Sequence, residues 1–159
     1  MTPATPEGRF EQRLFIAASP ETVFNCFFAP EALRVWWQTT QSVTTPVVFG
    51  VYAIAWAPTL YRDDILGPLG GTFHGTVVDV RPGRQFLLAD CYWVPTEGQP
   101  LGPMALHIEC VPEGPGCQLH VRQEGFEPSP RWQRYYAVIS RGWQLSLTAL
   151  KRYAEREKR

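Results

Sequence analysis

No run of apolar residues in this chain approaches the ~18–20 needed to cross a bilayer as a helix, so no segment reads as a membrane span. Charge of either sign is not in excess. Fifteen Lys and Arg balance fifteen Asp and Glu, for a formal net charge of zero. Partners that select a basic surface, nucleic acid and anionic membranes, are therefore not expected. The one basic cluster, at the C-terminal turn, reads as a solvated helix end. Metal-ligand spacing is also missing. Cys26, Cys91, Cys110 and Cys117 form no C-x-x-C, and neither they nor His74, His107 and His120 group as zinc ligands do. No metal and no cofactor are expected. There is no nucleophile elbow, P-loop or dinucleotide-binding glycine pattern. G-P-L-G-G at 67–71 lacks the following helix and lysine that a phosphate cradle needs. The opening M-T-P-A-T-P-E-G-R lacks the apolar core of a signal peptide. These absences predict a cytoplasmic protein with reduced, mostly buried thiols. A Cys110–Cys117 disulfide across one turn is the single pairing the spacing leaves open.

What the chain has is apolar material and punctuation. Of its 159 residues 45% are hydrophobic, enough for one domain with a sizeable core, and 15 prolines and 13 glycines mark the boundaries. Residues 1–8 read as disordered, and 9–159 as a single domain. Arg9–Ile16 alternates as a strand. Ser19-Pro20-Glu21 opens a short helix running to about Phe28, and Ala29-Pro30-Glu31 a second ending near Trp37. Antiparallel strands are expected near 40–45, 47–56, 72–80, 85–94, 104–111 and 117–126. In the last hairpin Leu106, Ile108 and Cys110 should share the inner face with Leu119 and Val121. Glu109 then lies opposite His120, and His107 opposite Arg122, on the outer face.

The last thirty residues form one amphipathic helix, capped by Ser129 with Pro130 in its first turn. Trp132, Tyr136, Ile139, Trp143, Leu147 and Leu150 recur at spacings of three and four. So aromatic a stripe needs a large apolar surface, and a bulky-aromatic helix over a curved sheet can enclose a cavity. The fold class is α+β: a curved antiparallel sheet of about seven strands, two short helices after the first strand, and the long C-terminal helix over the concave face.

Motifs along nearly the whole chain support this order. A-S-P-E-T-V-F-N-C-F-F-A-P-E-A-L-R-V-W-W (18–37), G-G-T-F-H-G-T-V-V-D-V-R-P-G-R-Q-F (70–86) and G-W-Q-L-S-L-T-A-L-K-R-Y (142–153) resemble the corresponding segments of the START-like helix-grip (SRPBCC, birch-pollen-allergen-like) superfamily. Within it, the closest resemblance is to the branch of activator-of-heat-shock-protein-90-ATPase homologues. The resemblance implies the helix-grip fold and a cavity. It also implies alternatives to plain binding. The superfamily includes cyclases and aromatases that use the cavity as a reaction chamber, so a cyclase/aromatase-like or hydrolytic enzyme is one alternative, and name-giving members of the branch act as chaperone partners. That last role accompanies an additional N-terminal domain, for which 159 residues leave no room.

The expected function is binding of an apolar or amphipathic small molecule by a monomer or homodimer. Candidate ligand-binding residues are Trp37, Tyr52, Trp56, Phe73, His74, Asp90, Trp93, Trp132, Tyr136, Ile139 and Trp143. Tryptophan and tyrosine suit such a wall because each supplies area and one polar handle. His74, Asp90 and Tyr136 are the groups expected to orient a ligand. Segment 57–71 is longer than the hairpin the resemblance implies, and is expected to be a mobile lid or rim. Its Asp63 and Asp64 are expected to face water.

Overall fold

The computed structural model describes residues 8–157. The N-terminal residues expected to be disordered lie outside that range, except Gly8. Gly8 is packed, not loose: its φ is +76°, and a Cβ there would meet Phe126 Cβ at 2.3 Å.

The elements are β1 (Arg9–Ile16), α1 (Pro20–Cys26), α2 (Pro30–Trp36), β2 (Gln41–Thr44), β3 (Val51–Trp56), β4 (Arg62–Asp63), β5 (Gly67–Pro68), β6 (Gly71–Arg81), β7 (Gln85–Val94), β8 (Leu101–Glu113), β9 (Gly116–Glu124) and α3 (Pro130–Glu157). Seven strands make one antiparallel sheet in the order β1-β9-β8-β7-β6-β3-β2. β1 and β2 therefore occupy opposite edges, and α1 and α2 carry the chain between them. β4 and β5 pair only with each other. This is an α+β helix-grip fold.

Local chemistry explains the helix starts. Ser19 Oγ accepts from Thr22 N–H at 3.1 Å and Ser129 Oγ from Trp132 N–H at 3.2 Å, each taking one orphan donor of a first turn. α2 has no side-chain cap and relies on Pro30 at its start.

The expected strand from 47 to 56 begins only at Val51. Val47 and Val48 suggested a strand, but Phe49 takes φ +67° and Gly50 N–H closes a turn on Val47 C=O at 2.8 Å. A side chain at Gly50 would strike Thr45 O at 2.3 Å, so glycine is required there. Phe49 is left 81% exposed.

In the β8–β9 hairpin Glu109 pairs with His120 and His107 with Arg122, as the alternation predicts. Leu106, Ile108, Cys110, Leu119 and Val121 are buried. On the other face His107 Nε2 meets Gln85 Oε1 at 2.9 Å, and His120 Nε2 meets Glu11 Oε2 at 2.5 Å. All four cysteines are buried free thiols.

The core has two regions. Under α1, Phe24, Phe27, Phe28 and Phe86 pack edge to face or stacked around Tyr52. Under α3, Leu147, Leu150 and Ala154 are fully buried, and Trp143 lies flat over Phe10 with centroids 5.9 Å apart. Trp143 also touches Trp37 of the α2 C-cap at 5.0 Å, so one side chain joins β1, α2 and α3. Trp143→Ala is expected to cost ~3–5 kcal/mol in denaturant melts, the range for buried large aromatics. A loss under ~1 kcal/mol would contradict this packing.

Candidate ligand-binding cavity

Between the sheet and the first half of α3 lies a cavity of about 520 Å³. The sheet supplies Trp56 from β3, Phe73 from β6, Trp93 from β7 and Gln123 from β9. Phe73 and Trp93 are directly paired across β6 and β7. α3 supplies Tyr135, Val138, Ile139, Gly142, Trp143 and Ser146. These six repeat at helical spacing and share one face. Trp37 and Gln38 close one end. Residues Ala57, Pro58, Thr59, Leu66, Leu69 and Gly70 form the outer rim. Gln38, Pro58 and Thr59 are exposed, so the cavity opens to solvent on that side.

Small residues on α3 contribute to the opening. Gly142 is exposed at the cavity's edge, and a Cβ there would meet nothing within 4 Å. Gly142 and Ser146 are small where α3 passes over the sheet, while Trp143 beside them is held away from the space they leave. Its indole N–H donates to Gln123 Oε1 at 2.8 Å. Trp93 Nε1 donates to Gly70 C=O at 2.8 Å and Trp56 Nε1 to Trp37 C=O at 2.9 Å. Each of these three rings is thus tied at its edge.

Six of the expected binding residues line this cavity: Trp37, Trp56, Phe73, Trp93, Ile139 and Trp143. The other five lie elsewhere. Tyr52 is fully buried in the α1 core, where its hydroxyl donates to Phe27 C=O at 2.6 Å, and burial drives its pKa upward. His74 falls on the opposite face of β6 from buried Phe73 and stacks on Tyr92. Asp90 is exposed with φ +51°, at an irregularity in the β7–β8 pairing that turns it outward. Trp132 and Tyr136 pack against Phe126 at the start of α3, and the Tyr136 hydroxyl donates to Gly125 C=O at 2.7 Å. None of the three groups expected to orient a ligand is on the wall.

Sequence reasoning missed Gln123 and Tyr135. Tyr135 is three residues after Trp132 and four before Ile139, so it fitted the apolar period as well as Tyr136 did. Gln123 sits in β9 at a position where alternation demands an inward side chain, a polar residue 2% exposed among apolar ones. That placement was the available signal.

Segment 57–71 has structure of its own. β4 and β5 close a small hairpin, and Thr59 N–H donates to Leu69 C=O at 3.0 Å. Asp63, expected to face water, is 2% exposed. Its Oδ2 accepts from the N–H groups of Ile65 at 3.0 Å and Leu66 at 2.9 Å, and its Oδ1 meets the Arg134 guanidinium on α3 at 2.7 Å. Asp64 does remain exposed. The Arg134 hydrogen bond, then the two backbone N–H bonds, hold the Asp63 carboxyl below its ordinary value of 3.8 against the opposing effect of burial. This pair fixes the rim to α3 and turns Leu66 inward to the wall.

The cavity wall carries no His, Asp, Glu, Lys, Arg or Cys. Tyr135 is its single titratable group, and burial raises its pKa, so it stays a neutral phenol. Among the described residues no group of His, Cys, Asp or Glu could hold a metal ion. No helix of the described residues is long and apolar enough to cross a membrane.

A seven-stranded antiparallel sheet gripping one long helix around an apolar cavity defines the class of helix-grip proteins. The chain belongs within it to the family described as activator of Hsp90 ATPase homolog 1-like protein, whose model matches residues 17–155. Comparison with curated proteins gives no match. Solved structures with the same fold include a Mesorhizobium loti protein, 19% identical with TM-score 0.70, covering 93% of this chain and 97% of its own. The Aha1 dimer from Colwellia psychrerythraea is 18% identical with TM-score 0.64, covering 92% and 96%. DynU16, from the dynemicin biosynthetic locus, is 16% identical with TM-score 0.67, and the match covers 96% of this chain but 49% of DynU16.

The Asp63 pair makes the rim sensitive to acid. A carboxyl with a depressed folded pKa stabilises fully above its ordinary value, and its contribution is lost as pH falls through the folded one. Protection of the Ile65 and Leu66 amides, corrected for intrinsic exchange, should therefore fall below about pH 3.8. In Asp63→Ala it should be ~10–100-fold lower at neutral pH, the loss expected for hydrogen bonds to a charged group. Unchanged protection in the variant would show that other contacts hold the rim.

Proposed function

We propose that this protein binds an apolar or weakly amphipathic small molecule in the cavity under the 57–71 rim. The observation that carries the reading is a cavity of about 520 Å³ whose lining includes four tryptophans, Trp37, Trp56, Trp93 and Trp143. Its size falls within the ~300–1,000 Å³ of small-molecule sites. Burial of a flat apolar ligand there contributes ~25 cal/mol per Å² of area removed from water.

The same wall argues for binding over a reaction chamber. General acid–base catalysis needs groups that exchange protons near neutral pH. A wall whose single titratable group is a neutral phenol supplies one weak acid and no base. Regulation of a chaperone ATPase rests on the family description alone, and nothing in the cavity bears on it. The reading includes a cytoplasmic location and a monomer or homodimer, and the balanced charge accords with action on a dissolved ligand.

Gly142 gives a clean test, because filling the space above it should block the cavity without disturbing the core. Titration with a flat aromatic hydrocarbon should quench tryptophan fluorescence saturably. At a hundredfold excess over Kd the ligand should stabilise the fold by ~2.7 kcal/mol, read as a rise in Tm. Gly142→Leu should fold at least as stably as the parent, since leucine is favoured over glycine in a helix by up to ~1 kcal/mol. It should lose the quenching. Saturable quenching that survives in Gly142→Leu would place the binding elsewhere and refute the cavity reading.

A further inference from the structure

Hydrogen-bond polarity inside the cavity wall restricts what the ligand can be. Gln123 on β9 lies between two side chains of α3, Trp143 and Tyr135. An indole N–H can only donate. The Gln123 amide atom at 2.8 Å from Trp143 Nε1 is therefore its oxygen, and this fixes the orientation of the whole amide. Its nitrogen faces the Tyr135 hydroxyl at 3.0 Å and Met104 Sδ at 3.3 Å. Both amide hydrogens are used, and neither partner can be exchanged by flipping the amide. The Tyr135 oxygen must then act as the acceptor toward Gln123, and its own hydrogen has no protein acceptor among the described residues. Tyr135 is buried, lines the cavity, and has its ring held between Trp93 at 5.5 Å and Trp132 at 6.2 Å. A buried donor without a partner costs ~1–3 kcal/mol unless water or a ligand satisfies it.

We infer that Tyr135 is a specificity-determining residue, whose hydroxyl donates into the cavity to a neutral carbonyl oxygen of an otherwise apolar, flat ligand. The inference rests on the binding function proposed above and narrows it. A carboxylate such as a fatty-acid headgroup offers acceptors too, but the wall has no Lys, Arg or His to compensate its charge. Desolvating an unpaired carboxylate is far more costly than desolvating a ketone. An amine is disfavoured for the same reason, since the wall has no carboxylate. Burial keeps the phenol protonated, so it stays a donor. The other indoles of the sheet wall, Trp56 and Trp93, spend their N–H groups on backbone carbonyls. Trp37, half-buried at the end of the cavity, competes as a donor, as do the Gln38 amide and the Ser146 hydroxyl on the same wall; only loss of the ketone preference in Tyr135→Phe singles out the phenol.

Three probes of one ring system distinguish these cases: fluorene, 9-fluorenone and fluorene-9-carboxylate. Wild-type protein should bind fluorenone ~3–10-fold more tightly than fluorene, the worth of one hydrogen bond, and the carboxylate least well. Tyr135→Phe should bind fluorene and fluorenone alike, whereas Trp37→Phe should keep the ketone preference. In wild type the carbonyl stretch of bound fluorenone should lie below its value in an alkane, and in Tyr135→Phe it should return to that value. If Tyr135→Phe fails to fold, the wild-type stretch decides. An alkane-like frequency overturns the inference, and so does a ketone preference that persists in Tyr135→Phe or vanishes in Trp37→Phe. Equal wild-type affinity for fluorene and fluorenone, or tightest binding of the carboxylate, overturns it while leaving the cavity as a binding site. Absence of saturable binding by all three probes overturns the binding function itself and the inference with it.

Discussion

A buried indole N–H needs an acceptor, and this requirement keeps the interior from closing. Trp36 donates to Cys26 C=O at 2.8 Å, Trp56 to Trp37 C=O, Trp93 to Gly70 C=O and Trp143 to Gln123. To swing a ring into the void, the protein would have to break such a bond inside the molecule, at ~1–3 kcal/mol for each donor left unsatisfied. Aliphatic side chains carry no such tether and adapt to fill space. The aromatic wall is therefore both apolar and stiff, and the small residues Gly142 and Ser146 leave beside it a space that the tethered rings do not enter.

The same bonds couple parts that are distant in sequence. Trp93 on β7 holds Gly70 at the end of the rim, and Trp56 on β3 holds Trp37 at the end of α2. Asp63 ties the β4–β5 hairpin to Arg134 on α3, while Trp143 on the same helix reaches β9 through Gln123. Rim, sheet and helix are thus linked around the cavity by polar contacts. A change that loosens α3 would be felt at the rim through Arg134. Access to the cavity and integrity of the fold share one element.

The order of the seven main strands and three helices, the register of the last hairpin and the face of α3 were legible in the sequence, because alternation and helical spacing follow directly from burial; the β4–β5 hairpin was not. The site was legible in part. Trp37, Trp56, Phe73, Trp93, Ile139 and Trp143 follow from the same periodicity that builds the core. His74 and Asp90 were misplaced because local irregularities in β7 and its partners decide which way those residues point. Trp132 and Tyr136 have the right period but sit too near the start of α3, where the helix meets Phe126 instead of open space. Asp63 was misjudged because its partner, Arg134, is 71 residues away. The void itself is invisible to periodicity. It comes from what small residues omit, and from hydrogen bonds that hold large ones back.

The central claim is that an apolar space persists between the sheet and α3 because the indoles of Trp56, Trp93 and Trp143 are held at its edge by hydrogen bonds. Crystals of the protein pressurised with xenon test it most directly, since xenon settles in apolar cavities. The account predicts xenon density bounded by Trp37, Trp93, Ile139 and Trp143, with the indole hydrogen bonds to Gln123 and Gly70 intact. Aromatic rings packed against one another at interior density, with no xenon between them, would contradict it.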